Sequence, residues 1–458
     1  MIVGLRNFGC LKEVSIELAP LTILCGANNT GKTYAMYAIY GLLKQQTRPR
    51  RLHSDELLGI ELTNTNGATI ALDDYYRRYW SRLHQRIAQR FRGSLSYFFS
   101  TEQEVFAESQ VTLESDLSEA LPAIHAAVIK ERFQFADDKS LLEISKEADS
   151  LELTITRVGN IPEGLLADWV MSALRHLLMQ PWSGDNQVLL PAERAGLNLF
   201  YPELNTRRTA LFHQAGKPEV DLAALLKDLT IARYPQPIAD YIDLLNEMRT
   251  LKKHKSEFHE MALALQKEVL GGNFSVDRDA TISFKPRRSR QTLGLHLSSS
   301  TAKTYFGLWF YLEHLARPSD VLMIDEPELN LHPDNQRRIA RLLARLVRMG
   351  HRIIVSTHSD YFVREINNLI LLGHEFQGRD ELREKFHYEP EDQLSAEQVR
   401  AYIFHDGTAT PMEMSPDEGI IAETFDKVIN EMNVSSYELV DAWAMARTSI
   451  KSNEEDAA

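Results

Sequence analysis

The chain has 458 residues, 44% of them hydrophobic and 25% charged, enough to bury a large core and to divide into two or three domains. A formal net charge of −13 excludes a generally basic surface for nucleic acid, though not a local basic track. Two cysteines, Cys10 and Cys25, exclude a disulfide framework or a structural zinc cluster, and both read as small packed residues near the first strands. No apolar run of about 18 residues occurs, and the first residues enter a strand pattern without a signal peptide, so no membrane partner is expected and the expected compartment is the cytoplasm.

The apolar run Leu21-Thr-Ile-Leu-Cys25 reads as a strand, and Tyr34 to Leu43 as a helix. Between them Gly26, Ala27, Asn28, Asn29, Thr30, Gly31, Lys32 and Thr33 fit the phosphate-binding loop at every fixed position. In such a loop the backbone N–H groups cradle phosphates at a helix N-terminus, the lysine reaches the β- and γ-phosphates, and the threonine hydroxyl ligates Mg²⁺. A nucleoside triphosphate is therefore the expected ligand.

Glu61–Asn64 and Ala68–Leu72 read as a hairpin, and residues 75–135 as mostly helical. Within them Arg78, Arg82, Arg86 and Arg90 recur every fourth residue and fall on one helix face beside Tyr75, Tyr76, Tyr79 and Trp80. That face is either a grip for nucleic acid or an acidic partner, or a solvated face opposite a packed aromatic one. Leu151–Thr156 alternates as an edge strand, Leu165–Met179 returns to helix, and Gln187–Gly196 reads as a strand and turn. Residues 197–270 read as a second helical stretch whose best segment is Pro237–Leu270; it lacks a sustained heptad, so long coiled-coil arms are not expected. Gly271-Gly272 ends it, and Phe274–Phe284 reads as a hairpin leading into the basic Lys285-Pro-Arg-Arg-Ser-Arg290.

Val321–Ile324 reads as a buried strand delivering Asp325 and Glu326 to a sheet edge, a Walker B element in which Asp325 holds Mg²⁺ and Glu326 polarises the attacking water. Over Gln336–Arg352 arginines oppose an apolar face, the pattern of a helix packed on a sheet with its arginines in solvent. Arg352–Thr357 is a further strand, ending at His358, which is placed to meet a γ-phosphate. Residues 375–398 are charged and loop-like, Val399–Phe404 with Asp406-Gly407 reads as one more strand and turn, and Ile420–Ala446 as a C-terminal helical region.

With Leu5-Arg-Asn-Phe8, Gly26–Thr33, Asp325-Glu-Pro-Glu-Leu-Asn-Leu-His-Pro333 and Ser356-Thr-His-Ser359, the chain resembles the ABC-type ATPases of the SMC, RecF and OLD (overcoming lysogenization defect) group over roughly residues 1–45 and 275–372. The resemblance implies an α/β ATPase head, a mixed sheet flanked by helices, with a helical insertion and a small C-terminal α/β region. It implies ATP and Mg²⁺ as cofactors, a signature motif at Leu297 to Ser300 (Ser298, Ser299, Ser300), a D-loop at Leu329–His332, and His358 as the switch histidine. It implies a homodimer that sandwiches two ATP molecules, the signature serine of one protomer facing the γ-phosphate held by the other. Ser300 stands where the family has glycine, which points to slow turnover, and the glutamine loop has no assigned position. In these compact ATPases the Gln187–Gly196 strand and turn lies beside the nucleotide, so Arg194 reads as a candidate contact or as an arginine pinning a turn.

The expected organisation is an ATPase lobe with Walker A at 1–74, a helical insertion at 75–180, a return strand and turn at 181–200, a second helical part at 201–272, an ATPase lobe with signature, Walker B and His358 at 273–372, and a C-terminal region at 373–458. That last region carries no nuclease constellation. The resemblance then points to a nucleotide-driven dimerisation switch, the ATPase subunit of a bacterial anti-phage defence system akin to Septu, retron and PARIS, controlling a separate effector, a nuclease or toxin. The alternatives are a RecF-like DNA-repair ATPase, with DNA as partner along the Arg78–Arg90 stripe, and a nucleotide-bound scaffold with negligible turnover.

Overall fold

The computed structural model describes residues 1–44, 67–134, 140–159, 161, 163–184, 186–201, 234–248, 254–277, 281–415, 419–421 and 430–444. The strand expected at Glu61–Asn64, much of the second helical stretch and the extreme C-terminus lie outside these residues.

In chain order the strands are β1 Ile2–Phe8, β2 Leu11–Glu17, β3 Leu21–Gly26, β4 Gly67–Ala71, β5 Gln110–Glu114, β6 Ile129–Gln134, β7 Ser140–Lys146, β8 Glu152–Arg157 and β9 Gln187–Leu190. They continue with β10 Gly272–Val276, β11 Ile282–Pro286, β12 Leu293–Gly294, β13 Val321–Asp325, β14 Arg352–Thr357, β15 Val399–His405 and β16 Thr408–Pro411. The main sheet runs β5-β1-β2-β16-β15-β3-β14-β13-β9. Its half from β15 to β9 is parallel, whereas β5, β1 and β2 pair antiparallel, so the sheet is mixed as expected. β3 and β13 are buried at every position, the pattern of central strands covered on both faces. The helix Lys32–Lys44 buries ten of its residues on one face of this sheet, and the helices Ser300–His314 and Pro333–Arg348 pack in the second core cluster with the inner residues of β13 and β14.

The insertion at 75–180 is less helical than its periodicity implied. The helix Leu72–Arg92 is followed by β5, which alternates buried and exposed residues and joins the main sheet against β1. Next, β6, β7 and β8 with β4 form an antiparallel sheet ordered β4-β8-β7-β6. β8, read as an edge strand, therefore lies inside that sheet, because Thr154, Ile155 and Thr156 pair along one edge with β4 and along the other with β7. The C-terminal region is likewise no appendage: β15 sits between β3 and β16 with its register running from Val399 opposite Leu21 to Phe404 opposite Gly26. Residues 379–385 within the stretch read as loop form a short helix.

The Leu72–Arg92 helix turns Tyr75, Tyr76, Trp80, Leu83, Ile87 and Phe91 into the core and leaves Arg78 and Arg82 exposed, the amphipathic division its spacing required. The Pro333–Arg348 helix departs from expectation. Arg338 and Arg348 are exposed, but the helix Asp360–Leu371 and residues 387–392 cover the positions between them, so Arg341 is buried and Arg345 only partly exposed rather than solvated. They are satisfied by carboxylates: Arg341 Nε donates to Glu365 at 2.5 Å, and Arg345 donates to Asp392 at 2.7 and 3.2 Å and to Glu268 at 3.0 Å. Cys25 is buried, which pushes its thiol up to about 12, whereas Cys10, expected to be packed, is exposed.

Gly271 ends the preceding helical turn with φ +59°, and β10 and β11 form the expected hairpin with Phe274 opposite Phe284. β12 then leads into the turn Leu295–Leu297 and the helix Ser300–His314.

Candidate nucleotide site

β3, β14 and β13 lie side by side and parallel, so their C-terminal ends open on one edge of the sheet, the place where open α/β sheets gather ligand groups. β3 delivers Gly26, β13 ends at Asp325 and β14 ends at Thr357. The long stretch of chain between the first and the other two closes because the strands pair, and that pairing joins the two motifs.

The loop after β3 is shaped by residues at positive φ, Gly26 at 140°, Asn29 at 64° and Gly31 at 97°. A Cβ on Gly26 would lie 2.6 Å from the Phe404 carbonyl oxygen, and one on Gly31 would lie 2.3 Å from a Leu11 methyl, so both positions need glycine for space as well as for conformation. Ala27, Asn28 and Asn29 are exposed at the loop's crest, and Thr30 Oγ1 closes the turn by donating to the Ala27 carbonyl at 2.9 Å. The helix begins at Lys32, so the loop ends on a helix N-terminus whose first N–H groups have no intrahelical acceptor. Lys32 is buried, and its ammonium donates to the carbonyls of Gly26 at 2.8 Å and Ala27 at 2.7 Å. Burial lowers its pKa, against the opposing pull of Glu326 and Asp325. The cation is thus held over the loop's own curve, where a phosphate chain carried on the backbone amides meets it.

Thr33 Oγ1 donates to Asp325 Oδ2 at 2.9 Å, and Ser356 Oγ donates to Asp325 Oδ1. A threonine hydroxyl and a carboxylate in contact, both hard oxygen donors beside a phosphate loop, suit Mg²⁺, which keeps most of its shell for water and phosphate oxygens. The donor set fits such a metal, and Thr33 and Asp325 are the residues that would hold it.

Glu326 follows with φ +52°, a left-handed conformation that costs a residue with a side chain about 1–2 kcal/mol and persists only where the surroundings impose it. Its amide donates to the Ser356 carbonyl at 3.0 Å, and its own carbonyl accepts from Leu329 N at 3.1 Å. Burial raises the pKa of its carboxyl; His358 opposes the shift, and Asp325 and Glu328 add to it. His358 Nδ1 lies 3.6 Å from Glu326 Oε1 and 3.3 Å from Glu328 Oε1, with nearly half of the imidazole exposed on the open edge. Glu328 is itself buried and accepts at Oε1 from Thr357 Oγ1 at 2.8 Å and from His358 N at 2.9 Å.

Arg194 stands in the turn after β9 and is 1% exposed. Its guanidinium donates to the carbonyls of Pro191 at 3.0 Å, Asp325 at 2.5 Å and Glu326 at 2.7 Å. It pins its own turn, and the other group it grips is the Walker B backbone.

Of the serines placed at the signature motif, Ser299 caps the Ser300–His314 helix, while Ser298 bonds back to the preceding turn. Ser299 Oγ accepts from Ala302 N at 3.2 Å, and Ser298 Oγ donates to the Gly294 carbonyl at 3.1 Å. Among the described residues none of Ser298, Ser299 and Ser300 hydrogen-bonds a Walker residue. The link runs instead through the D-loop: Thr301 Oγ1 donates to the Asn330 carbonyl at 2.8 Å, and Asn330 Nδ2 donates to Thr304 Oγ1 at 2.9 Å.

The structure thus brings Lys32, Thr33, Asp325, Glu326 and His358 to one edge. Sequence reasoning gave no role to Glu328, Ser356 or Tyr305. The first two lay inside quoted motifs, as an acid and a hydroxyl that burial turns into hydrogen-bond anchors; Tyr305 carried no signal beyond an aromatic in an apolar helix.

A family model described as AAA ATPase domain matches residues 1–156 and 210–363. Among solved structures, an SMC head bound to the C-winged helix domain of ScpA is similar over 90% of this chain and 97% of its own, at 15% identity and a TM-score of 0.35. An SMC head with an extended coiled coil bound to the C-terminal domain of ScpA, derived from Pyrococcus furiosus, is similar over 94% of this chain and 98% of its own, at 15% identity and a TM-score of 0.33. The SMC head domain from Thermotoga maritima is similar over 90% and 98%, at 13% identity and a TM-score of 0.32. No curated protein is similar enough to match.

Proposed function

Since the chain belongs to the AAA ATPase domain family, we propose that it binds Mg²⁺-ATP at the edge formed by β3, β13 and β14, hydrolyses it, and uses the cycle as a dimerisation switch. The observation that carries the reading is the 2.9 Å contact between Thr33 and Asp325, which joins the phosphate loop to the Walker B carboxylate across 292 residues of sequence. Bound Mg²⁺-ATP supplies the phosphoanhydride and the charge that polarises it. For its part, the loop of Gly26–Thr33 orients the phosphates, Lys32 neutralises them, Thr33 and Asp325 hold the metal, and Glu326, kept ready to accept a proton, positions water. His358, half exposed beside Glu326, is the residue that would donate to a terminal phosphate bound at this edge.

The switch needs a target, because contacts to a γ-phosphate from two protomers exist only before hydrolysis. We assign the protein to the regulatory subunit of a bacterial anti-phage defence system, holding a separate nuclease or toxin. Support comes from the resemblance to compact ATPases of such systems. Sedimentation of Glu326→Gln protein with and without Mg²⁺-ATP tests the switch: a nucleotide-dependent dimer supports it, and a monomer under both conditions refutes it. Affinity capture from native cells after nuclease digestion tests the partner: a stoichiometric small protein is expected.

A DNA-repair role has one observation in its favour. Arg78 and Arg82 on the Leu72–Arg92 helix are exposed, as are Lys285 near the end of β11 and Arg287, Arg288 and Arg290 after it. It requires salt-dependent duplex binding that is lost when these charges are removed.

A further inference from the structure

We propose that Arg194 is a positioning residue for hydrolysis, its guanidinium clamping the Asp325–Glu326 backbone in the turned conformation that aims one carboxylate at the metal and the next at water. This deepens the ATPase reading above and rests on its assignment of Asp325 and Glu326.

The clamp is visible as geometry. The guanidinium donates to the carbonyl before the strained residue, Asp325 O at 2.5 Å, and to the carbonyl after it, Glu326 O at 2.7 Å. A third carbonyl in the same turn, Pro327 O, accepts from the Tyr305 hydroxyl, and the Tyr305 ring faces Arg194 with Cζ 5.9 Å from its centroid. Three consecutive carbonyls are thus held from one side, with Glu326 at φ +52° in the middle.

The choice of arginine follows from the chemistry. A 1%-exposed guanidinium is costly to bury, and among the described residues Arg194 makes no ion pair with a carboxylate. Its partners are neutral backbone oxygens, including that of Pro191 in its own turn at 3.0 Å. A planar fork with donors at fixed spacing spans two successive carbonyls, whereas a lysine ammonium can reach one of them well. Arg194 reaches Glu326 at its backbone carbonyl, not at its carboxylate. The arginine also ties β9, at the rim of the sheet, to the end of its neighbour β13.

The test uses full-length wild type, Arg194→Gln and Arg194→Lys. Steady-state ATP hydrolysis is read together with backbone hydrogen exchange of peptides covering residues 321–332 and, as an internal control, 21–44. A displacement of the order of 1 Å at a catalytic group costs about 100-fold, so kcat of Arg194→Gln is expected to fall by about that factor with KM changed by less than about threefold, and Arg194→Lys to fall between it and wild type. The amides of Glu326 and Leu329 are expected to exchange faster, with residues 21–44 unchanged. Unaltered kcat in Arg194→Gln overturns the proposal, as does a parallel rise in exchange across both peptide sets, which marks a general structural role. Absence of hydrolysis by the wild type refutes the ATPase reading instead. The exchange data then decide the clamp by themselves, with unchanged protection at 326–329 overturning it.

Discussion

Replacing Glu328 separates geometry from charge at the open edge of the sheet. Its Oε1 accepts from Thr357 Oγ1 at 2.8 Å and His358 N at 2.9 Å, while Oε2 is buried without a partner among the described residues. Two hydrogen bonds to a charged acceptor are each worth about 1.5–3 kcal/mol, and removing a buried, half-satisfied carboxylate returns about 1–3 kcal/mol of its desolvation, so Glu328→Ala is expected to lose about 2–3 kcal/mol of stability. One of the two lost bonds anchors His358, and about 2 kcal/mol of lost positioning there corresponds to a roughly 30-fold fall in turnover. Glu328→Gln keeps an acceptor of the same shape and is expected to lose about 1 kcal/mol and less than about fivefold in rate. Chemical denaturation and phosphate release on the three proteins measure both effects. Wild-type stability and turnover in Glu328→Ala would refute the positional role, and equal loss of turnover in both variants would show that His358 depends on the charge of Glu328 rather than on its shape.

Other perturbations probe the frame around the site. Arg345→Ala leaves Asp392, which is fully buried, without its bidentate partner, and a loss of about 3–5 kcal/mol is expected in urea denaturation; a loss below about 1 kcal/mol would contradict the burial of that pair. His351 is buried with an unpartnered Nδ1, and desolvation lowers its pKa to about 4 from 6.5. The unfolded chain therefore binds the extra proton first, so stability present above about pH 6.5 is lost as pH falls toward 4, by about 2–4 kcal/mol. Burial raises the pKa of neighbouring Asp320 and works in the opposite direction, so the readout is the difference in pH slope between wild type and His351→Asn, which is expected to be shallower; identical slopes would contradict it. Gly26→Ala places a methyl 2.6 Å from the Phe404 carbonyl at φ +140° and is expected to abolish nucleotide binding in a fluorescent-nucleotide titration while leaving a folded chain.

Much of the site was legible because its chemistry is local. A phosphate loop needs glycine where φ is positive and a lysine and hydroxyl at the helix start, and these needs write themselves into eight consecutive residues, Gly26 to Thr33. Apolar runs ending in Asp325 and His358 placed the other two strand ends correctly. What stayed hidden depended on tertiary cover. Gln110–Glu114 and Ile129–Gln134 are too short for their alternation to stand out from helical neighbours, so the sequence pattern over β5 and β6 reads as helix. Arg341 and Arg345 follow the spacing of a solvated stripe, and only the cover supplied by the helix Asp360–Leu371 and by residues 387–392 takes them out of solvent. Arg194 was visible as a residue in a turn, but its partners are backbone oxygens, which leave no mark in a sequence. β15 joined the central sheet for a comparable reason, since strand order is set by pairing rather than by distance along the chain.

The most direct measurement is phosphate release from Mg²⁺-ATP by purified wild-type protein, Glu326→Gln and Lys32→Ala, with nucleotide binding followed in parallel. Wild-type turnover is expected, together with retained binding but at least about 100-fold slower release in Glu326→Gln, and loss of both in Lys32→Ala. Release by Glu326→Gln at the wild-type rate would contradict the assignment of the catalytic edge, and tight ATP binding by Lys32→Ala would contradict the assignment of the phosphate loop.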